Sequence, residues 1–90
     1  MEFEYDQNKS ASNQDKHGID FEEAKELWAD ETALVAPAKN VSKEPRWLLV
    51  GMIGAQHWTA IYTMRQDRIR IISVRKSNKD ERDNYQTEDN

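Results

Sequence analysis

The sequence contains no cysteine, which removes disulfides, thiolate zinc sites and thiol nucleophiles together and fits a reducing compartment. Histidine is scarce as well: His17 and His57 are the whole complement, too few for a His-rich metal site. No apolar run reaches the roughly 18 residues that span a bilayer. The first five residues carry Glu2 and Glu4 where a secretory signal would carry basic residues ahead of an apolar stretch. A soluble, unexported, cytoplasmic protein without membrane contact is expected. Length sets a further bound. The chain has 90 residues, 37% of them hydrophobic and 33% charged. A chain of this size buries only about 60–65% of its unfolded surface, so one small domain over 1–90 is expected. Residues 3–85 are expected to be ordered and 86–90 frayed.

The net charge of −4 is unevenly spread. Residues 1–45 hold 5 Lys/Arg against 11 Asp/Glu, residues 46–77 hold 6 against 1, and residues 78–90 hold 2 against 5. An anion at close range feels the nearest charges, since screening removes those beyond about 8–10 Å. A basic segment can therefore engage phosphate inside an acidic protein and leave the acidic flanks for another partner.

Periodicity orders the elements. Phe3 and Tyr5 alternate with Glu2, Glu4 and Asp6, the pattern of a short strand. The stretch from Lys9 to His17 is helix-compatible but polar throughout, with Asp6 or Asn8 available as N-cap and Gly18 where a left-handed C-terminal cap belongs. A second helix starts at Asp20, with Glu23 as its capping-box partner, Ile19 and Ala24 at staple positions, and Phe21, Ala24, Leu27 and Trp28 at helical spacing. Beyond Thr32 the character turns to β. The apolar run 33–36 closes at Pro37, residues 39–45 form a polar loop, and Trp47 to Ile53 reads as a buried strand. His57 to Met64 and Ile69 to Val74 follow as strands, joined through a polar hairpin loop at 65–68. Ser77 or Asn78, with Glu81 three or four residues on, opens a short terminal helix. The order predicts an α+β fold: a short N-terminal strand, two helices packed on one face of an antiparallel sheet of three to four further strands, and a short C-terminal helix. The opposite sheet face is expected to be free.

Particular residues carry a resemblance. Phe3, Tyr5, Asp6, Lys9, Asn13, Lys16, His17, Gly18, Phe21, Glu22, Glu23 and Ala24 open the chain as the BrnT toxins of type II toxin–antitoxin systems open. Tyr62, Thr63, Arg65, the run from Asp67 to Lys76, then Glu81, Arg82 and Tyr85 resemble that family's closing signature. The departures are small: Tyr5 stands where the family often has tryptophan, and Val74 and Ser77 where it often has alanine. The resemblance implies a RelE-like fold and an endoribonuclease that inhibits translation by cutting RNA without a metal or other cofactor. It also implies a BrnA-like ribbon-helix-helix antitoxin that neutralises the toxin, contacts operator DNA itself, and joins it in a higher-order complex.

Transesterification of RNA needs a group to take the 2′-hydroxyl proton, positive charge on the developing phosphorane, and a donor for the leaving 5′-oxygen. Arg65 and Arg75 are the first candidates for the phosphorane, because a guanidinium stays charged and binds phosphate through two hydrogen bonds. Simple alternation places Arg75 on the strand face of Ser73 and Ile71, and Arg70 on the other with Ile72 and Val74. The bland reading of each arginine is a surface ion pair worth about 0–1 kcal/mol. His17 has a side chain suited to proton transfer near neutrality, although a histidine before a capping glycine also serves free carbonyls and the helix dipole. Tyr62 is a candidate donor or base-stacker and equally a core tyrosine. Lys9 and Lys16, seven apart, share a helical face and, with Arg68, Arg70 and Lys76, are candidate phosphate-binding residues. Trp28 and Trp47 read as core, whereas Trp58 is a possible RNA stacker if it lies on the free face. The competing function is a non-enzymatic module that binds a DNA-binding antitoxin in autorepression.

Overall fold

The computed structural model describes residues 1–39 and 43–88, with backbone alone for 86–88. Its elements are β1 (Glu2–Glu4), α1 (Gln7–His17), α2 (Phe21–Ala24), a 3₁₀ turn (Lys25–Ala29), β2 (Leu34–Pro37), β3 (Trp47–Ile53), β4 (Gln56–Arg65), β5 (Arg68–Lys76) and α3 (Lys79–Glu88). Part of the 39–45 loop and the end of the tail expected to fray, at 40–42 and 89–90, lie outside the described residues. The strands form one sheet in the order β1-β5-β4-β3-β2. Every pairing is antiparallel except β1 with β5, which is parallel.

The helix ends follow the side chains that cap them. Asp6 Oδ1 accepts from the amides of Asn8 (2.8 Å) and Lys9 (3.2 Å) at the start of α1. Gly18, at φ 79°, ends the helix by donating its N–H to the Gln14 carbonyl at 2.9 Å. A residue with a Cβ resists that left-handed conformation. Asp20 caps α2 by accepting from the Glu23 amide at 2.8 Å. The expected second helix is shorter than its periodicity suggested, tightening to 3₁₀ from Lys25. Its buried residues Phe21, Ala24 and Leu27 recur every three positions, which a 3₁₀ turn stacks in line.

These residues face one side of the sheet, the inner face. Leu49, Ala60 and Val74 stand in register across β3, β4 and β5 and are all buried. They form the core with Ile19, Phe21, Ala24, Leu27, Trp58, Tyr62, Ile69 and Ile71. Fully burying a large apolar side chain contributes about 1.5–3 kcal/mol. Phe3, on β1, sits edge-on to Trp28, and Trp28 edge-on to Tyr62, so the short parallel strand is fastened from the same side.

A β-bulge corrects the alternation expected for β5. Ile61 pairs with Ser73 but Tyr62 pairs with Ile71, leaving Ile72 as an extra residue. The parity of the strand changes there. Ser73 and Arg75 stand opposite Ile61 and Thr59, and Arg68 and Arg70 opposite Arg65 and Thr63, so Arg70 shares the outer face with Arg75. Ile71 joins Ile69 and Val74 in the core.

Contrary to the expectation of a free face, α3 covers one end of the outer face. Asn78 and Glu81 make a reciprocal capping box, each amide donating to the other's side chain at 2.9 Å. Thr59 Oγ1 on β4 bonds Ser77 Oγ (2.7 Å) and Glu81 Oε1 (2.9 Å). Tyr85, 5% exposed, donates its hydroxyl to Asp30 and lies edge-on to His57.

α1 is attached differently from the core helix. It has no apolar residue but Ala11, and its buried members are Ser10 and Asn13. β1 registers only with 68–70, so no strand flanks the rest of β5 on that side among the described residues. Asn13 supplies the missing partner: Nδ2 donates to the Val74 carbonyl (2.8 Å) and Oδ1 accepts from the Val74 amide (3.1 Å). Nδ2 also donates to the Ile19 carbonyl at 2.8 Å, and Ser10 Oγ accepts from the Phe21 amide at 2.9 Å. The helix therefore borders the sheet edge and is held by hydrogen bonds, while α2 and the 3₁₀ turn supply the apolar packing. Removing the Asn13 amide strands three backbone groups in a buried place, each costing about 1–3 kcal/mol if left unmet. Asn13→Ala is expected to destabilise the protein by about 3 kcal/mol in a denaturant titration. Gln14→Ala, on the exposed side of the same helix, is expected to stay within about 0.5 kcal/mol.

Candidate functional site

The Asn13 clamp leaves a hollow of ≈ 270 Å³ between α1 and β5. Its helix wall is Lys9, Ser12, Asn13, Lys16 and His17, and its strand wall is Ile72 and Ser73. The helix residues fall at i, i+3, i+4, i+7 and i+8, the single stripe that a 3.6-residue repeat aligns. Ile72 and Ser73 are the bulged residue and its neighbour, so the irregularity in β5 shapes the other wall. Among the described residues Lys9, Lys16 and His17 form no ion pair. His17 ends α1 beside Gly18, exposed to solvent. Its imidazole bonds no carbonyl among the described residues, so the cap is carried by the glycine backbone.

The arginines are arranged otherwise. Arg65 meets Glu44 at 3.0 Å and Arg70 meets Glu4 at 3.0 Å. Arg68 lies 3.6 Å from both Glu2 and Glu4. Arg75 forms a two-pronged pair with Glu81 at 2.8 and 2.9 Å. All four stand on the outer face, yet each faces a carboxylate. Arg65 and Arg75 do not converge: Arg75 registers with Thr59, six residues from Arg65 along β4, which is roughly 20 Å of strand. Lys76 is exposed at the end of β5. The structure thus gathers Lys9, Lys16 and His17 and leaves Arg65, Arg68 and Lys76 outside the hollow. Arg75 stays near it, two residues from Ser73 on the same strand face.

Tyr62 is a core residue, 7% exposed on the inner face, and burial pushes its hydroxyl pKa up. That removes it from the solvent-facing candidates. Trp58, 8% exposed in the same core, is likewise no free platform for a base. Sequence reasoning passed over Asn13, Ser12, Ile72 and Ser73. A signal for Asn13 was present, since a polar side chain that disfavours helix interiors stands four residues from both Lys9 and His17.

Glu81 is the strongest electrostatic anchor near the site. The Arg75 guanidinium is the main cause that draws its carboxyl from an ordinary 4.5 to about 2; burial opposes this, and the Asn78 amide and Thr59 hydroxyl add to it. So acidic a carboxyl is a poor proton acceptor at neutral pH. At the end of the 3₁₀ turn Asp30 is pushed up by burial. Bonds from the Met52 and Thr32 amides and from the Tyr85 and Thr32 hydroxyls outweigh this and hold it below its usual value. Among the described residues no three His, Asp or Glu side chains stand together as a metal-binding group, and no helix is long and apolar enough to cross a membrane.

Residues 5–81 match the family model described as ribonuclease toxin, BrnT, of type II toxin-antitoxin system. No curated protein matches the chain.

The Glu81 pair makes stability depend on pH. Its folded pKa lies below its unfolded one, so its contribution is complete above about pH 4.5 and is lost as pH falls through about 2. With the Arg75 side chain 34% exposed, solvent screening holds the contribution to about 1–2 kcal/mol. Glu81→Gln is expected to be less stable than the parent by that amount at pH 7. Denaturant titrations at a series of pH values should show the gap closing toward pH 2.

Proposed function

Because the chain belongs to the BrnT family of ribonuclease toxins of type II toxin–antitoxin systems, we propose that it cuts RNA by metal-independent transesterification in the hollow between α1 and β5. One observation carries this reading. Lys9, Lys16 and His17 meet there with no carboxylate against them among the described residues, whereas the four strand arginines each face one. A phosphate entering the hollow finds uncompensated charge, and at the four strand arginines it must compete with glutamate.

In the proposed step the ribose 2′-oxygen attacks phosphorus, a 2′,3′-cyclic phosphate forms, and the bond to the 5′-oxygen breaks. Lys9 and Lys16 offset the charge that grows on the phosphoryl oxygens. His17 is the proton-transfer residue, its imidazole taking the proton of the 2′-hydroxyl and returning one to the leaving 5′-oxygen. Arg75, first chosen from sequence for the phosphorane, becomes a residue that ties β5 to α3 through Glu81 and so fixes the strand wall. Arg65, Arg68, Arg70 and Lys76 serve the rim at most. Tyr62 has no role in this scheme.

The family pairs the toxin with an antitoxin. A BrnA-like ribbon-helix-helix protein that carries the operator contact is the partner proposed here, acting in the cytoplasm within a higher-order complex. A short strand, helices, four strands and a closing helix in this order support the RelE-like assignment.

Purified wild-type protein is expected to cleave RNA in EDTA and leave 2′,3′-cyclic phosphate ends. His17→Ala should lower the rate by about 10²-fold or more, and Lys9→Ala and Lys16→Ala by about tenfold each, with circular dichroism unchanged. Arg65→Ala should stay within about threefold of wild type. Intact RNA in the presence of folded protein without its partner would favour the non-enzymatic module. Full activity in His17→Ala would remove the proton-transfer role.

A further inference from the structure

We infer that Ser73 is a substrate-contacting residue of this site, its hydroxyl donating to a non-bridging oxygen of the phosphate that Lys9 and Lys16 hold. The inference rests on the reading of the hollow as the RNA site and goes beyond it, because it gives the strand wall a role in binding.

The placement of Ser73 follows from the bulge. With Ile72 as the extra residue, Ser73 pairs with Ile61 on the outer face and lines the hollow across from α1. Bulges re-aim side chains and are common beside functional sites. Here the next residue, Val74, is held at both its amide and its carbonyl by Asn13. The backbone on one side of Ser73 is therefore fixed to the helix that carries the two lysines. Its hydroxyl is half-buried and has no hydrogen-bond partner among the described residues. By contrast, Ser10 and Ser77 are buried and bonded, to the Phe21 amide and to Thr59 respectively. Thr59 and Thr63 also spend their hydroxyls inside the fold, Thr59 on Ser77 and Glu81 and Thr63 on the Pro45 carbonyl. Ser73 thus presents a hydroxyl that the fold does not use, on the opposite wall from two ammonium groups.

Two lysines give charge without direction, since an ammonium is a rotating point charge. A hydroxyl on a clamped strand gives direction. Together they suit a phosphodiester better than a carboxylate: the anion spreads its charge over two outward oxygens, and the opposed walls reach both at once. Ile72 adds an apolar surface beside the phosphate for the sugar of the same nucleotide.

The test compares Ser73→Thr with Ser73→Val, which match in shape and in strand preference and differ in the hydroxyl. The probe is a fluorescein-labelled single-stranded 12-mer of 2′-fluoro RNA, which lacks the attacking hydroxyl and so is bound without being cut. Its affinity is read by anisotropy at one fixed salt concentration. Ser73→Val is expected to bind about tenfold more weakly than wild type, the loss of a hydrogen bond to a charged group, and Ser73→Thr to bind within about twofold. A Lys9→Ala, Lys16→Ala double variant is the arm for the underlying reading, and equal melting temperatures of the two Ser73 variants check the fold. If the lysine variant binds weakly but Ser73→Val binds like Ser73→Thr, the serine contact is overturned and the site stands. If the lysine variant binds like wild type, the site itself is overturned and the serine role goes with it.

Discussion

The bond between the Asn13 side chain and the backbone of Val74 is what the rest of the site depends on. α1 is a polar helix of eleven residues, short enough that it would be marginal alone in water, and it brings no apolar stripe to bury. Its amide at position 13 satisfies an amide and a carbonyl that the sheet leaves open beyond the short β1 strand. The sheet edge, a liability when bare, becomes the seat of the helix. Because packing constrains only Ser10 and Asn13 in this helix, the stripe on either side of Asn13 is free to be Lys9, Ser12, Lys16 and His17. Clamp and ligand-facing groups share one face, four residues apart.

Charge is divided with the same economy. The strands are basic, yet Arg65, Arg68, Arg70 and Arg75 are met by Glu44, Glu2, Glu4 and Glu81. Exposed pairs of this kind contribute about 0–1 kcal/mol to stability, so their larger effect is on what the surface attracts. They lower the pull of the outer face on phosphate and leave the helix lysines as uncompensated charge beside a hollow. Arg75 with Glu81 differs in being partly buried, doubly bonded and continuous with the α3 cap through Asn78 and Thr59. It works as a rivet between the last strand and the last helix.

Much of this was legible in the residues. Gly18 and Asp20 cap where their spacing said they would, and of the alternatives Asp6 or Asn8 and Ser77 or Asn78 the structure uses Asp6 and Asn78, because capping is a local matter of a few neighbouring residues. The strands around Trp47, Trp58 and Ile69 followed from their apolar runs. The shared face of Lys9 and Lys16 followed from helical spacing alone. What escaped was non-local. The bulge at Ile72 depends on the partner strand, and without it alternation sends Arg70 and Ile71 to the wrong faces. The carboxylates that meet Arg65, Arg70 and Arg75 come from 21, 66 and 6 residues away, and no period in the sequence announces them. Tyr62 and Trp58 fell to the core because their strand lies mid-sheet beneath Trp28 and Leu27.

The central claim is that substrate enters between the helix Asn13 holds and the strand it is held to. The direct measurement is a ¹H–¹⁵N chemical-shift titration of the wild-type protein with the same uncleavable 2′-fluoro RNA. The expected result is a perturbed set centred on residues 9, 12, 13, 16 and 17 of α1 together with 72–74 of β5. Shifts centred instead on the 65–68 hairpin beside Arg65 and Arg68, with α1 silent, would contradict the account.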